Sequence, residues 1–227
     1  MLELGLYVVK PYLPTHGFSK KGGLMQLVES NQLSDLKMIY SDDVELVSIA
    51  RTNSTTVQEL SQRLLELRTP LKLQWKQTLK DRETADSQLP ESIDIELRTM
   101  LVDLIGESCE IFGELMGCSQ IGVRLATLRS PMCPRFHVDQ IPCRMIITMI
   151  GTGTEWIPNK GVNWSDFSDL SNDKAPLNDS GKIQQLETGN WSILKGGAWA
   201  SGFQGLVHRS PHNYSERLLL SLDPIFE

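Results

Sequence analysis

The spacing of apolar residues predicts helices in the first half of the chain. Apolar positions three and four apart recur in three segments: 24–38, 54–67 and 92–116. Ser92 stands where it can cap the start of the last helix, and Gly117 where it can end it. Between the first two segments, VELVSIAR at 44–51 is rich in the β-branched and aliphatic residues that favour strands. We therefore expect residues 1–118 to be mainly helical with one strand.

The second half shows short apolar runs separated by Gly, Pro and Asn. These runs lie at 121–129, 143–150, 183–196, 205–212 and 216–223. Many short strands without alternating helices indicate an antiparallel sandwich or barrel rather than a parallel α/β sheet. A long polar stretch at 158–182 interrupts the pattern and is interpreted as a loop or lid. The fold class we expect is α+β, with a strand-built core in residues 119–227 and the helical first half packed on it.

The composition is typical of one compact globular unit. With 227 residues, 40% hydrophobic and 22% charged, the chain can bury one core, so we expect a single domain spanning residues 1–227. No apolar run approaches the about 20 residues that a membrane span needs. The opening segment lacks the basic start and small-residue cleavage site of a signal peptide. We therefore expect a cytoplasmic protein without a membrane partner.

The net charge argues against general binding to nucleic acid. A formal charge of −6 and a pI near 5.3 oppose binding to phosphate backbones, which draws on many Lys and Arg contacts. The best local candidate is a patch of Lys72, Lys76 and Lys80, whose spacing would place them on one helix face around Trp75. We interpret that patch as a solvated helix face.

His137 and Asp139 form an H-x-D pair in the strand-rich half. Residues two apart on an extended segment point to the same side, so the imidazole and the carboxylate can converge on one ion. Such a pair is common by chance and is weak evidence alone. His208 follows the strand-like Leu206–Val207 about 70 residues later, and Arg217 opens the apolar run RLLLSLD nine residues beyond His208.

This order of residues resembles that of the 2-oxoglutarate/iron oxygenases. In that superfamily an H-x-D pair, a variable insert, a distal His and then an Arg are mounted on a double-stranded β-helix. The resemblance implies a jelly-roll, cupin-like core in which His137, Asp139 and His208 hold Fe(II). It also implies that an arginine binds the far carboxylate of 2-oxoglutarate, for which a guanidinium suits better than an ammonium. Arg217 is our choice for that role, and Arg144 or Arg124 could fill it instead.

Other ligand sets remain open at this point. His212 competes with His208, but it lies inside a Ser-Pro turn, whereas His208 directly follows an apolar strand. Cys133 and Cys143 flank the H-x-D pair, so a zinc site with a thiolate ligand is an alternative. Without a secretion signal, we expect the four cysteines to be reduced thiols.

A second, closer resemblance covers roughly residues 40–225. The stretches FHVD, GTGTEW and HRSP, with the final ER and LLLSLD, are similar to the bacterial family known as domain of unknown function 1826. An association of that family with zinc limitation implies an alternative to an oxygenase: a non-catalytic, zinc-linked sensor or homeostasis protein that uses the same pocket. A cupin-like enzyme that uses the metal as a Lewis acid is a third hypothesis.

The substrate cannot be inferred from the residues. We expect a small molecule or a peptide, because specificity on such scaffolds lies in the loops. The insert at 158–182 is the place to look, and Trp164, Phe167 and Leu170 within it either dock a substrate or pin the loop down. The sequence does not indicate an oligomeric state.

Overall fold

The computed structural model describes residues 27–51, 54–66, 70–171, 173–199, 203–212 and 216–226. Its α-helices are α1 Ser54–Leu65, α2 Arg82–Gln88, α3 Ile95–Met116 and α4 Trp164–Ser168. Short 3-10 helices span Leu33–Tyr40 and Asn159–Gly161. The strands are β1 Leu27–Ser30, β2 Leu46–Ile49, β3 Lys72–Thr78, β4 Gln120–Leu128, β5 Cys143–Ile150, β6 Glu155–Ile157, β7 Gln184–Gln185, β8 Trp191–Lys195, β9 Val207–Arg209 and β10 Arg217–Ile225.

The described strands form two sheets. The large sheet has seven strands in the order β1-β2-β8-β5-β10-β4-β3, and the small sheet has three in the order β7-β6-β9. All neighbours pair antiparallel except β1 and β2, which run parallel. The chain is therefore a mixed α+β protein with a large, mainly antiparallel sheet.

The two faces of the large sheet have different partners. On one face, residues such as Val123 and Ile147 join a core cluster with Leu101 and Phe112 of α3. On the other face, Ile146, Leu46 and Leu194 pack with Trp156 of β6 and Leu206, next to β9. The small sheet therefore lies over one face of the large sheet, and the helices lie over the other.

Helix α3 follows the predicted apolar pattern, but its first residue differs. Asp94 rather than Ser92 caps the start, since its carboxylate accepts a hydrogen bond from the Leu97 amide at 3.1 Å. At the other end Gly117 adopts the left-handed conformation with φ 68°, as expected for a helix-ending glycine. A carboxylate one residue before the helix is the better cap because it also faces the positive end of the helix dipole.

Residues 24–38 do not form the predicted helix. The described part of that segment contains β1 and then the 3-10 helix Leu33–Tyr40. Leu27 pairs with Leu46 in the parallel β1–β2 ladder, so a partner distant in sequence overrides the local helical pattern. Leu36 and Ile39 are buried three residues apart, a spacing that a 3-10 helix satisfies as well as an α-helix. The described first half thus contains three strands where the pattern predicts one.

The lysine patch at 72–80 is not on a helix either. Residues Lys72–Thr78 form β3, in which Trp75 and Gln77 are buried and Lys72 and Lys76 are exposed. The alternation has a period of two, which is that of a half-buried strand. The prediction of a shared helix face was wrong, because Trp75 reaches the core from a strand.

The insert at 158–182 packs on the outer face of the small sheet. Trp164 and Phe167 meet edge to face at 5.2 Å between ring centroids, and they pack against Ile157 and Val207. Those two strand residues point away from the large sheet. Trp164 and Phe167 therefore hold the insert against the small sheet, whereas Leu170 is 80% exposed. No helix within the described ranges is long and apolar enough to cross a membrane.

Candidate metal centre

Backbone pairing brings His137 beside His208. The two residues form an isolated antiparallel bridge in which each amide donates to the other's carbonyl at 2.9 Å. Their imidazole rings lie 4.5 Å apart between centroids. Because His208 pairs with the inward-pointing Trp156 on the small sheet, both rings lie on the side of that sheet that faces the large sheet.

Both imidazoles present the same ring nitrogen to Asp139. The Nδ1 atoms of His137 and His208 lie 3.0 Å and 2.9 Å from the carbonyls of Arg135 and Leu206, respectively. A carbonyl only accepts hydrogen bonds, so each Nδ1 carries a proton, and Nε2 is the nitrogen through which each neutral imidazole can bind an ion. The Nε2 atom of His137 lies 3.9 Å from Asp139 Oδ1, and that of His208 lies 3.4 Å from Oδ2.

The three side chains fit a metal ion. One ligand atom from each of His137, Asp139 and His208 lies within 4.8 Å of the other two. Two imidazole nitrogens and one carboxylate oxygen suit a first-row divalent ion, and three protein donors leave further coordination positions for other ligands. The structure therefore brings together the three residues that the sequence singled out.

The protonation states also suit a metal. Burial raises the pKa of Asp139, but the hydrogen bond from His208 and the charges of His208, Arg144 and His137 outweigh it and lower the pKa to about 2. Burial, followed by the charge of His208, lowers the pKa of His137. An ionised carboxylate beside a neutral imidazole is the form that binds a metal ion.

A glycine allows the H-x-D segment to lie close to the loop before β9. Gly205 has φ 92°, and a Cβ on it would lie 2.2 Å from Val138 Cγ1. Only glycine adopts this conformation readily, and only glycine leaves room for Val138. A side chain at position 205 would therefore displace Val138, which lies between His137 and Asp139.

Arg217 lies at the start of β10 and lines the same cavity as the two histidines. It is 4% exposed, and its Nη2 donates to the hydroxyls of Thr148 and Thr154 at 3.3 Å and 3.1 Å. Its Nε is buried without a hydrogen-bond partner, and no carboxylate of the described residues forms an ion pair with it. Burial lowers the pKa of Arg217 to about 10, so the side chain remains charged at neutral pH. A buried cation without a counter-ion is costly, which points to an anionic ligand.

Arg144 has a different environment from Arg217. It donates to Asp139 Oδ2 at 2.7 Å, and through two nitrogens to both oxygens of Asp223 at 2.6 Å and 2.9 Å. The sequence offered Arg144 as an alternative anchor, but in the structure its guanidinium is committed to two carboxylates. Arg124 lines the cavity too and lies 3.2 Å from Asp223.

The remaining sequence candidates lie apart from the three ligands. His212 is exposed, and its Nε2 contacts Arg209 Nη1 at 2.6 Å. That contact borders a separate cavity of about 310 Å³ beneath the insert. Cys143 points into the helix-side core, with its sulfur 3.1 Å from that of Met116, and Cys133 lines the cavity without joining the ligand group. Neither thiolate therefore completes a zinc site with His137.

Sequence reasoning missed Asp223, Thr148 and Thr154. Each contacts Arg144 or Arg217; Asp223 and Thr148 lie within mainly apolar strands, and Thr154 lies directly before β6. A polar residue at an inward position of a strand-rich core is the signal that could have identified them.

Solved structures with a similar fold include two dioxygenases. A dioxygenase for auxin oxidation from Arabidopsis thaliana, solved as its 2-oxoglutarate complex, aligns with TM-score 0.55 and 8% identity over 88% of this chain and 92% of that one. The rice dioxygenase for auxin oxidation aligns with TM-score 0.53 and 10% identity over 88% and 82%. A Neurospora crassa protein, solved with alpha-KG, gives 0.52 and 9% over 87% and 84%. At these identities the likeness shows the fold.

Sequence comparison identifies a family but no characterised relative. No curated protein matches the chain in sequence. The model of the family described as Protein of unknown function (DUF1826) matches residues 30–223, which include His137, Asp139, His208 and Arg217. The match spans most of the chain and both halves of the site, and the chain therefore belongs to the DUF1826 family.

Proposed function

We propose that this protein is an Fe(II)- and 2-oxoglutarate-dependent oxygenase that hydroxylates a C–H bond of its substrate. The observation that carries the proposal is the buried Arg217, which shares a cavity with His137 and His208 and has no counter-ion among the residues that the structure describes. A metal site alone would serve many functions. A metal site with a buried, unneutralised guanidinium beside it calls for a ligand that binds the ion and carries a further negative charge.

His137, Asp139 and His208 would hold the ion on one side and leave its other positions for the co-substrate and dioxygen. When bound, ferrous iron with 2-oxoglutarate supplies the oxidising chemistry, which releases succinate and carbon dioxide. The chain contributes an ionised Asp139 and two imidazoles whose Nδ1 protons are engaged by backbone carbonyls, so the site is organised before the ion arrives.

Arg217 would bind the far carboxylate of 2-oxoglutarate. The Thr148 and Thr154 hydroxyls accept from one of its terminal nitrogens and hold the guanidinium plane. The unpartnered Nε remains to donate to the ligand. Arg144, which was an alternative to Arg217 for binding 2-oxoglutarate, would instead orient Asp139.

We further propose that the core is a double-stranded β-helix. Support comes from the two facing sheets, from the metal ligands between them, and from the alignment with dioxygenases over most of the chain. The helices α1 and α3 would then cover the outer face of the large sheet, as the shared core cluster with that face indicates.

The test is anaerobic addition of Fe(II) and 2-oxoglutarate to protein purified without a metal-affinity tag. A visible charge-transfer band is expected for the wild type, no band for His208→Ala, and a band that needs much more 2-oxoglutarate for Arg217→Ala. Succinate should form once air is admitted. The absence of a band and of succinate from the wild type would overturn the proposal.

The same preparation tests the alternative of a zinc-linked sensor. The donor set is compatible with zinc, because nitrogen and oxygen sites bind zinc more tightly than ferrous iron. Stoichiometric zinc in the purified protein, together with no succinate under air, would establish that alternative. A sensor that binds only zinc needs no buried arginine beside the metal site, so this alternative does not account for Arg217.

A further inference from the structure

The cavity lined by His137, His208 and Arg217, here called the metal cavity, lies on one face of the large sheet. That face extends beyond the cavity to β3. In the β3–β4 ladder Lys72 lies opposite Ala126, and Gln74 lies opposite Arg124. Ala126 and Arg124 line the metal cavity. Residues directly opposite each other in an antiparallel pair share a face, so alternate residues of β3 face the same side as the cavity.

Lys72, Lys76 and Arg124 form a basic strip on this face. Lys72 and Lys76 are exposed, as is Gln74 between them, and the Arg124 side chain is 40% exposed. The small sheet therefore leaves this end of the large sheet open to solvent. Within the described residues neither lysine forms an ion pair.

Among the described residues, Arg124 shares its counter-ion Asp223 with Arg144. Its Nη2 lies 3.2 Å from Asp223 Oδ2, an oxygen that already accepts a hydrogen bond from Arg144 at 2.9 Å. Arg144 also binds the other oxygen of Asp223. The guanidinium of Arg124 consequently keeps donors for a further anion.

Positive charge remains on this face after the metal and 2-oxoglutarate are bound. Between the cavity and β3, the cations are Arg217, Arg144, Arg124, Lys72 and Lys76, and the carboxylates are Asp139 and Asp223. A divalent ion and a doubly negative co-substrate cancel each other. Because the whole chain carries a formal −6, a locally positive strip at the cavity would attract anions to this position.

Protection of the sheet edge is the competing explanation for the lysines. Strand β3 is the outermost strand of the large sheet, and lysines on edge strands discourage pairing with other chains. That explanation does not cover Arg124, which lies on the interior strand β4 and lines the cavity. Edge protection and substrate binding predict different effects of charge reversal on anion binding.

We propose that the basic strip binds a phosphate group of the substrate, which places the substrate among phosphorylated compounds. The proposal rests on the oxygenase function proposed above. Exposed lysines gain little from one carboxylate, whereas a phosphate monoester carries about −1.5 to −2 charges and three acceptor oxygens. The Cα atoms of Lys72 and Lys76 lie about 13 Å apart along the strand, so their flexible side chains can converge over Gln74 beside Arg124.

Titration calorimetry with inorganic pyrophosphate tests the strip directly. The protein is kept metal-free with a chelator, so the result does not depend on iron or on turnover. Saturable binding of pyrophosphate is expected for the wild type. The double variant Lys72→Glu/Lys76→Glu should bind pyrophosphate at least roughly tenfold more weakly. Its thermal unfolding should match that of the wild type, since both positions are exposed.

The matched control is Lys37→Glu/Lys182→Glu, which changes the net charge equally at exposed positions away from the strip. It should keep the wild-type affinity, because salt screens distant surface charges. Equal losses in both double variants, or no saturable binding, would overturn the proposal. Tighter binding of the tricarboxylate tricarballylate than of pyrophosphate would also contradict it, since the strip would then prefer carboxylates.

Succinate formation connects the strip to turnover. A small-molecule cell extract should stimulate succinate release by the iron-loaded wild type, and phosphatase treatment of the extract should abolish the stimulation. Stimulation that survives the phosphatase would contradict the proposal. If no succinate forms under any condition, the oxygenase function fails, and the calorimetry still decides whether the strip binds phosphate.

Discussion

Arg144 and Asp139 form a 2.7 Å hydrogen bond between Nη1 and Oδ2, inside a network that also includes Asp223. The same Oδ2 lies 3.4 Å from His208 Nε2. A continuous set of contacts therefore runs from Asp223 on β10 through Arg144 and Asp139 to the imidazoles. This set fixes the orientation of the one carboxylate among the three candidate metal ligands.

The first prediction concerns that network. Replacing Arg144→Lys keeps the positive charge but removes the planar fork that binds Asp139 and Asp223 together. We expect metal affinity to fall by about 10-fold or more, as is typical when the hydrogen-bond partner of a metal ligand is changed. Competition with a chromophoric chelator measures it, using Co(II) or Zn(II).

Arg124→Lys is the matched control for Arg144→Lys. Arg124 also contacts Asp223 but makes no hydrogen bond to Asp139, so its replacement should leave metal affinity close to that of the wild type. If both variants bind metal as the wild type does, Arg144 does not position Asp139.

The second prediction concerns the buried cation Arg217. Its replacement by Met removes a desolvated charge for which the described part of the chain supplies no counter-ion. The ligand-free Arg217→Met protein should therefore be as stable as the wild type or more stable by about 1 kcal/mol. In the presence of metal, a given concentration of 2-oxoglutarate should raise the melting temperature of the wild type more than that of the variant, which binds 2-oxoglutarate more weakly.

A destabilised Arg217→Met protein would contradict this account of Arg217. It would indicate that the two threonine contacts stabilise the fold more than burial of the charge costs. The outcome therefore separates a structural arginine from one that is reserved for a ligand.

The third prediction concerns Gly205. Alanine at this position would have to adopt φ 92° and would bring its Cβ to 2.2 Å from Val138 Cγ1. We expect Gly205→Ala to lower the free energy of unfolding by about 2 kcal/mol and to weaken metal binding, since Val138 lies between His137 and Asp139. Denaturant unfolding and chelator competition measure the two effects.

A second substitution tests the mechanism of the Gly205 effect. Val138→Ala removes the methyl group that the new Cβ would meet, so adding it to Gly205→Ala should restore part of the metal affinity. No recovery would mean that the effect comes from the backbone conformation at φ 92° and from the approach of the new Cβ to the Gly197 amide nitrogen at 2.7 Å, rather than from Val138.

The candidate site could be predicted because the order of its residues along the chain resembles that of the 2-oxoglutarate/iron oxygenases, and local patterns support part of it. The alternation of a strand places His137 and Asp139 on one side, and the apolar residues before His208 mark it as a strand residue rather than a turn residue like His212. The length and capping of α3 were likewise visible to within a few residues. Neighbouring residues decide the local conformation in each case, whereas the pairing of His137 with His208 joins distant parts of the chain.

Features that depend on distant partners could not be predicted. Residues 27–30 become a strand because β2 offers a parallel ladder, and Lys72–Thr78 becomes a strand because β4, almost fifty residues later, pairs with it. The role of Arg144 depends on Asp223, 79 residues away. Local patterns carry no information about such pairings.

The last prediction concerns the buried Lys195 at the end of β8. It is 1% exposed, its Nζ donates to the Ser41 carbonyl at 2.8 Å, and it lies over the Trp199 ring. Burial lowers its pKa from 10.5 to about 8, although the charges of Asp42, Asp43 and Glu45 act in the opposite direction.

The sign of the resulting pH dependence follows from proton binding. Between about pH 8 and 10.5 the unfolded chain holds a proton at Lys195 that the folded protein has lost, so this group makes the protein more stable as pH rises. Below pH 8 both states are protonated, and the folded state bears the full cost of the buried charge. Lys195→Met should therefore be more stable than the wild type by about 2–3 kcal/mol near pH 7. Near pH 10.5 the difference in stability between Lys195→Met and the wild type should fall to the part that comes from packing alone.

Urea unfolding of the wild type and of Lys195→Met across this pH range measures the difference between their free energies of unfolding. Groups that titrate equally in both proteins do not contribute to this difference. Lys182→Met, at an exposed lysine, is the control and should show no pH-dependent difference from the wild type. A stability difference for Lys195→Met that stays constant from pH 7 to pH 10.5 would show that burial does not shift the pKa of Lys195, because only a shifted pKa makes the difference depend on pH.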